Sequence, residues 1–530
     1  MHRLKNIILI IVFASILFAA GCGPSLQDNK GENVQPIPEI INEVSIPILK
    51  YKTVNPFVSK DQSIYFIDKL IYEGLIDLDE YLRPMPLLAE SWEYQNDGYE
   101  LIFHLKKNVL WHDGNVFSAN DVVYTINTLK NNNKYPPSKY KFYVSNIKKI
   151  DKIDDYTVKI IFNSNYDNSI ERFIFPIFSQ KYNASVGNVY EDIAGYTPVG
   201  TGPYKIDEIE KLKYIKLCSF ENYWGKEKAL NSLIFKVVPS SEEAIQLLEI
   251  DDIQIAFSYN YDWEKYREDR SLSIYNFPTN ELEVLGFNIK NEVLSDRRVR
   301  QAISFAINRD DIINTYLGAG IKSDNLYPPY YLNINESKGL YPYSPAKALY
   351  LLQEAGFENR DSDRYLEDMN GNELSFNILV NEENKDRIDS AKIINKSLDK
   401  IGVSSNIIYV SFDEYESYLE QGKFDLFLGG WSTSPLVDLR FILHSNLNKT
   451  GYVNTYLDFL LADLQRNHTI EEKEKIFEEI QNILNEDVPY YCLLYKNYGV
   501  IAKNNLVGDI KSRFFDIYNG SESWQIIKPK

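Results

Sequence analysis

The chain has 530 residues, 44% hydrophobic and 25% charged, enough length and apolar content for two or three packed lobes and too apolar for a disordered chain. Its formal net charge of −18 argues against nucleic acid and against broad adhesion to anionic lipid. Its 3 cysteines are too few for a disulfide framework, while its 40 tyrosines suit either ligand surfaces or a drift toward Tyr, Ile, Lys and Asn.

Arg3 and Lys5 precede an unbroken apolar run, 7–18, which ends in Ala19-Ala20-Gly21 directly before Cys22. A charged start, a short apolar run and small residues make a signal peptide over 1–21. The run falls short of the ~20 residues a spanning helix needs. Ala-Ala-Gly-Cys resembles a lipobox, with Ala19 where Leu is usual, so Cys22 is the expected lipidation site. An ordinary secretory signal with an incidental cysteine is the alternative. Residues 22–43 are polar, lack periodicity and carry Pro36 and Pro38, which reads as a flexible linker. Removing the leader takes Arg3 and Lys5 with it and leaves the mature chain at −20. The predicted location is the extracellular side of the cytoplasmic membrane, held there by lipid at Cys22.

Along the body, helix and strand signals alternate. Strands are predicted over 100–105, 157–162, 214–220, 233–238, 285–289, 374–380, 403–410 and 424–428. A capping box at Ser118 and Asp121 opens a helix to about 129, and Ser295 opens another to about 307. Ser344-Pro345 starts a helix that Gly356 closes, residues 391–400 form one that Gly402 stops, and Thr469 with Glu472 opens one to about 485. Interleaved strands and helices predict an α/β architecture. Cys218 and Cys492 sit in apolar strand-like runs and read as buried free thiols, with a single disulfide as the alternative.

Catalytic signals are weak. His112-Asp113 reads as a turn, since no serine or cysteine nucleophile motif accompanies it. The 5 histidines show no ligand spacing, so neither a metal site nor a cofactor is predicted. An enzyme such as a surface hydrolase or peptidase is the alternative function, without a catalytic constellation to support it.

Several fragments in order then match one family. They are Leu87-Leu88-Ala89-Glu90-Ser91-Trp92, Phe103-His104-Leu105-Lys106-Lys107-Asn108-Val109-Leu110-Trp111-His112-Asp113-Gly114 and Phe117-Ser118-Ala119-Asn120-Asp121-Val122. Further along stand Val199-Gly200-Thr201-Gly202-Pro203-Tyr204, Asn222-Tyr223-Trp224, Phe287-Asn288, Arg298-Val299-Arg300-Gln301-Ala302-Ile303 and Ile307-Asn308-Arg309, then the run 424–431 leading to Asp438. Over residues 51–495 the chain resembles the extracellular solute-binding proteins of family 5, the oligopeptide-, dipeptide- and nickel-binding components of ABC importers. Asn108 replaces the family's usual glycine. The resemblance implies a two-lobed, periplasmic-binding-protein-like fold of type II, in its large cluster C form, with an inserted α/β subdomain and a ligand cleft between lobes. It implies a first lobe from 42–70, 197–284 and 496–530, an inserted subdomain over 71–196 and a second lobe over 285–495. Hinge crossings fall near 285–290 and 493–496.

The same resemblance implies the site. In peptide-binding relatives the segment ending at Trp431 lies along the peptide like an added strand. Gly429 and Gly430 before it would let another backbone or a ligand approach. An aspartate that pairs with a peptide ammonium is usual three residues after the tryptophan, where this chain has Ser434. Asp438 either replaces that anchor or caps a turn. The expected ligand-binding set is Trp431, Ser432, Thr433, Ser434, Asp438, Asn55, Phe57, Gln62, Tyr140, Tyr259 and Asn260. The implied function is capture of a small solute, foremost an oligopeptide, by cleft closure, and its delivery to an ABC permease with ATPase subunits. The implied state is a monomer that binds no nucleic acid. A nickel chelate or an oligosaccharide is the alternative solute, and docking on a sensory receptor an alternative role.

Overall fold

Helix starts follow the polar side chains available to satisfy free backbone N–H groups. Ser344 accepts from the N–H of Lys347 ahead of the helix Pro345–Glu354, and Thr469 and Glu472 form a reciprocal box at the start of Ile470–Asp487. The helix Ala119–Asn131 has the box in half form, with the Ser118 N–H donating 2.9 Å to the Asp121 carboxylate. Two starts differ from the sequence reading. Asp296, not Ser295, caps Arg297–Ala306, and Asn384 caps a helix Lys385–Asp399 that begins six residues before the predicted 391. The first turn of the latter is polar, so its apolar periodicity only becomes visible later. The predicted strand 285–289 is the end of a strand of 16 residues, Leu272–Phe287.

The computed structural model describes residues 39–131, 135–191, 195–225, 230–258, 264–316, 319–334, 340–361 and 364–528. The leader, Cys22 and most of its linker lie outside the described residues, as do Tyr259 and Asn260. The body is a two-lobed α/β fold. In one sheet, Glu43–Leu49 pairs in parallel with Ser232–Val238, which continues antiparallel through Tyr214–Ser219 to Tyr204–Glu210. A separate antiparallel sheet, ordered Ala89–Gln95, Glu100–Leu105, Thr157–Phe162, Ile147–Asp154, occupies the intervening segment.

The largest sheet contains the two longest strands. Its order is Ile255–Ser258, Tyr490–Lys503, Leu272–Phe287, Leu426–Ser432, Ser375–Asn381, Ser404–Val410. The two long strands pair antiparallel from Leu272 with Lys503 to Gly286 with Tyr490, and their register shifts between Pro278 and Leu282. Period-two alternation divides the sheet's faces. Leu285, Phe287, Leu426, Leu428 and Leu493 pack on the helices Arg297–Ala306, Pro345–Glu354 and Lys385–Asp399. Leu282, Val284, Phe427, Tyr490 and Tyr495 face the other way, into a core continuous with Val44, Ile46, Leu233 and Phe235. Cys218, half-buried, and Cys492, buried, are not bonded to each other.

Candidate functional site

In α/β lobes, ligands meet the carboxyl ends of parallel strands, where helix starts present unpaired N–H groups. Here Leu49 and Val238 end their parallel strands side by side. The helices Gln62–Ile71 and Ser241–Glu249 begin beside them. Between these ends lies a groove of about 320 Å³, with Lys50, Asp61, Gln62, Phe66, Phe257 and Tyr498 in its lining. That volume lies at the lower end of ligand pockets. Phe257 and Tyr498 stack with ring centroids 6.2 Å apart. Lys50 and Asp61 are the charged residues of the lining. The Asp61 carboxylate also accepts 3.0 Å from the Lys52 N–H, which fixes the loop 51–61 at that end.

Trp431 lies near the end of Leu426–Ser432 and pairs with Leu282 on the long strand. Its half-buried ring stands edge-on to Tyr490 at 5.7 Å, Phe427 at 6.3 Å and Phe441 at 6.4 Å. Tyr498 of the groove pairs with Phe277 on that same strand. At ~3.3 Å per residue, the five steps from 277 to 282 place tryptophan and groove about 16 Å apart along one continuous strand.

Side chains lie close to both glycines before Trp431. A Cβ on Gly429 would meet the Phe427 ring at 2.9 Å and the Tyr415 hydroxyl at 3.2 Å. A Cβ on Gly430 would lie 2.7 Å from Glu283 Oε1 and closer still to the Arg387 guanidinium. Arg387 grips the Glu283 carboxylate with Nε at 2.8 Å and a terminal nitrogen at 3.1 Å, and Lys496 adds a contact at 3.2 Å. Glu283 is 3% exposed, so the pair is buried against the crossing strands.

Past Trp431 the chain turns. The Thr433 N–H donates 3.1 Å to the Asn280 carbonyl, and Thr433 is buried with an unpartnered hydroxyl. Ser432 and Ser434 are exposed. The Ser434 carbonyl accepts from the Val437 N–H at 2.9 Å, while its hydroxyl oxygen accepts from the Leu436 N–H at 3.3 Å. Asp438 accepts from the Arg440 N–H at 3.0 Å and pairs with that guanidinium at 2.7 Å. The turn-capping geometry is therefore present. Arg440 also reaches Asp167 at 2.8 Å, and Asp167 contacts Arg172 at 3.3 Å, which ties the turn to the segment carrying the separate sheet.

Of the remaining expected residues that are described, Gln62 lines the groove and Asn55, Phe57 and Tyr140 do not. Asn55 is fully buried; its amide donates to the Val189 carbonyl at 2.9 Å, and its oxygen accepts from the Phe57 N–H at 3.0 Å. Phe57 packs against Phe178 with centroids 4.2 Å apart. Both fasten the loop that leads into the groove. Tyr140 is buried and lines a different cavity of about 190 Å³. Sequence reasoning missed the Arg387–Glu283 pair, whose members lie 104 residues apart with no local signal. It also missed the use of His112. That ring accepts from the Gly200 N–H at 3.2 Å and donates to the Gly202 carbonyl at 3.0 Å, and burial pushes its pKa down to about 4, so it is a neutral clamp on the 200–202 turn. Among the described residues no group of three His, Cys, Asp or Glu is placed to hold a metal, and no helix is long and apolar enough to cross a membrane.

Two lobes that share one sheet, with a groove at strand ends beside the crossing, define a solute-binding protein of the two-lobed class. The chain belongs to the bacterial extracellular solute-binding proteins, family 5, whose middle region matches residues 83–452. It is 28% identical to the oligopeptide-binding protein AppA of Bacillus subtilis, over 100% of both chains. The solved structure of that AppA with a nonapeptide is 26% identical, with a TM-score of 0.63 over 93% of this chain and 100% of that one. NikZ of Campylobacter jejuni, solved with Ni(L-His), is 25% identical, with a TM-score of 0.65 over 91% of this chain and 99% of that one.

Proposed function

We propose that the protein captures oligopeptides outside the cell, closes its lobes over them and delivers them to an ABC permease driven by ATPase subunits. The observation that carries the reading is the groove at the strand ends: aromatic walls with one cation, Lys50, and one anion, Asp61. That pairing suits a zwitterion whose two ends need opposite partners and whose middle does not. The neutral turn Ser432-Thr433-Ser434 then lies beside peptide backbone rather than at an ammonium. Asp61 takes the role of acidic anchor that Ser434 leaves vacant. In this reading Trp431 and Gln62 face the ligand, while Asn55, Phe57 and Asp438 hold the loops that present them. Tyr140 stands apart from it. Similarity to AppA over the full chain supports the peptide assignment.

The lobes meet where the two long strands cross between them, near 285–290 and 493–496, and that crossing is the hinge. The first lobe takes 42–70, 197–284 and 496–530, the inserted subdomain 71–196 and the second lobe 285–495. Closure is a shift between open and closed states that ligand contacts to both lobes drive. Cys22 carries the lipid that keeps a monomeric receptor near its permease, at the end of a flexible leash. The protein acts as a binder and performs no chemistry on its solute.

Mass spectrometry of material released by mild denaturation from protein purified from its own host tests the proposal. Peptides are the expected finding, and a nickel chelate or an oligosaccharide in their place overturns it.

A further inference from the structure

The second cavity, of about 190 Å³, lies beside the helix Gln62–Ile71, toward its far end, and shares with the groove Tyr518 alone. Its walls include Tyr65, Tyr72, Tyr140, Tyr143, Tyr204 and Tyr518. Five carboxylates, Asp68, Glu73, Asp77, Asp516 and Glu522, face into it with one lysine, Lys69. Two of these carboxylates are satisfied by the protein itself. Glu73 accepts from Thr201 at 2.8 Å and from Tyr223 and Trp224 at 2.9 Å each, and Asp77 pairs with Lys69 at 3.3 Å.

Three polar atoms on the same lining have no hydrogen-bond partner. Asp68 is 3% exposed, yet its Oδ2 makes no hydrogen bond and has only the Lys139 ammonium at 3.7 Å. The hydroxyl of fully buried Tyr204 and Oδ1 of Asp516 also lack partners. An unmet buried carboxylate oxygen costs far more than an unmet neutral group, so the cavity calls for a donor that carries positive charge. The chain shows which cation fits, because Lys139 holds its ammonium 5.2 and 5.1 Å from the ring centres of Tyr65 and Tyr140 beside Asp68.

We infer that this cavity is a second small-molecule site, separate from the solute cleft, for a short aliphatic amine whose ammonium is held by Asp516, Asp68 and the Tyr204 hydroxyl between tyrosine faces. A space of this size takes about six waters or one such amine. The site sits between the first lobe and the inserted segment, so an amine there braces the two against each other.

Calorimetric titration of the purified protein with 1,4-diaminobutane tests this. One saturable site is expected, weakened about tenfold or more by Asp516→Asn and by Tyr204→Phe. It should be unchanged in Trp431→Ala, whose ring is not among the walls of this cavity. Asp516→Asn and Tyr204→Phe change no side-chain volume by more than an atom, and a melting curve for each confirms folding. A crystal grown with the diamine should show it between Tyr204 and Asp516. Absence of heat, equal affinity in both variants, loss of binding in Trp431→Ala, or water alone in the cavity overturns the inference.

Discussion

Glu283→Gln isolates the energetics of the lobe crossing. The carboxylate is 3% exposed and meets Arg387 twice, at 2.8 and 3.1 Å, and Lys496 at 3.2 Å. A neutral amide at that position leaves the buried Arg387 guanidinium without a counter-charge. Lys496 is less affected, because Glu281 remains 3.5 Å away. Removing one member of a buried ion pair costs about 3–5 kcal/mol. Arg387→Met should cost less, since Glu283 then keeps Lys496. The double variant should recover part of the loss, with a coupling of about 1–3 kcal/mol. Chemical denaturation followed by tryptophan fluorescence reads all three midpoints. A Glu283→Gln midpoint equal to that of the unaltered protein, or strictly additive single and double variants, refutes the claim that the pair is a buried, coupled unit.

Gly430→Ala should destabilise by about 1–3 kcal/mol, because its methyl group would occupy the space of the Glu283 carboxylate at 2.7 Å; thermal melting within a degree of the unaltered protein would contradict the close approach. Trp431→Ala should weaken a resynthesised co-purified peptide strongly in calorimetry and also lower stability by roughly 1–3 kcal/mol, since three aromatic rings lose an edge contact. Burial outweighs the three hydrogen bonds to Glu73 and pushes its pKa up to about 7. The folded chain therefore holds a proton that the unfolded chain releases near its ordinary value of 4.5, so this group's contribution to stability falls as pH rises from about 4.5 to 7. Thermal melts across that range should fall less steeply in Glu73→Gln, and parallel slopes would refute the assignment. Lys473→Met strands the Glu171 carboxylate, each 7% exposed, between the helix Ile470–Asp487 and the segment bearing the separate sheet. Small-angle scattering of the ligand-free variant should show a larger radius of gyration, and an unchanged one would show that this pair does not hold the body closed.

Much of this was legible one segment at a time. Local rules act over a few residues, so Ser344-Pro345, the Thr469–Glu472 box and the strands 100–105 and 157–162 could be read directly from neighbouring side chains. The ordered family fragments added the two-lobed fold, because a string of short motifs at fixed spacing is itself local information. The site was less legible. Asn55 and Phe57 stand in the segment expected to face the cleft, yet their side chains turn inward onto Val189 and Phe178, partners more than 120 residues away. The use of Gly430 depends on Glu283 and Arg387, which only sheet pairing and helix packing bring to it. Sequence by itself determined that most of these helices and strands form, since caps and alternation are settled by adjacent groups. Tertiary structure alone decided which polar groups lie buried together, since desolvation and charge pairing depend on distance in space and not along the chain.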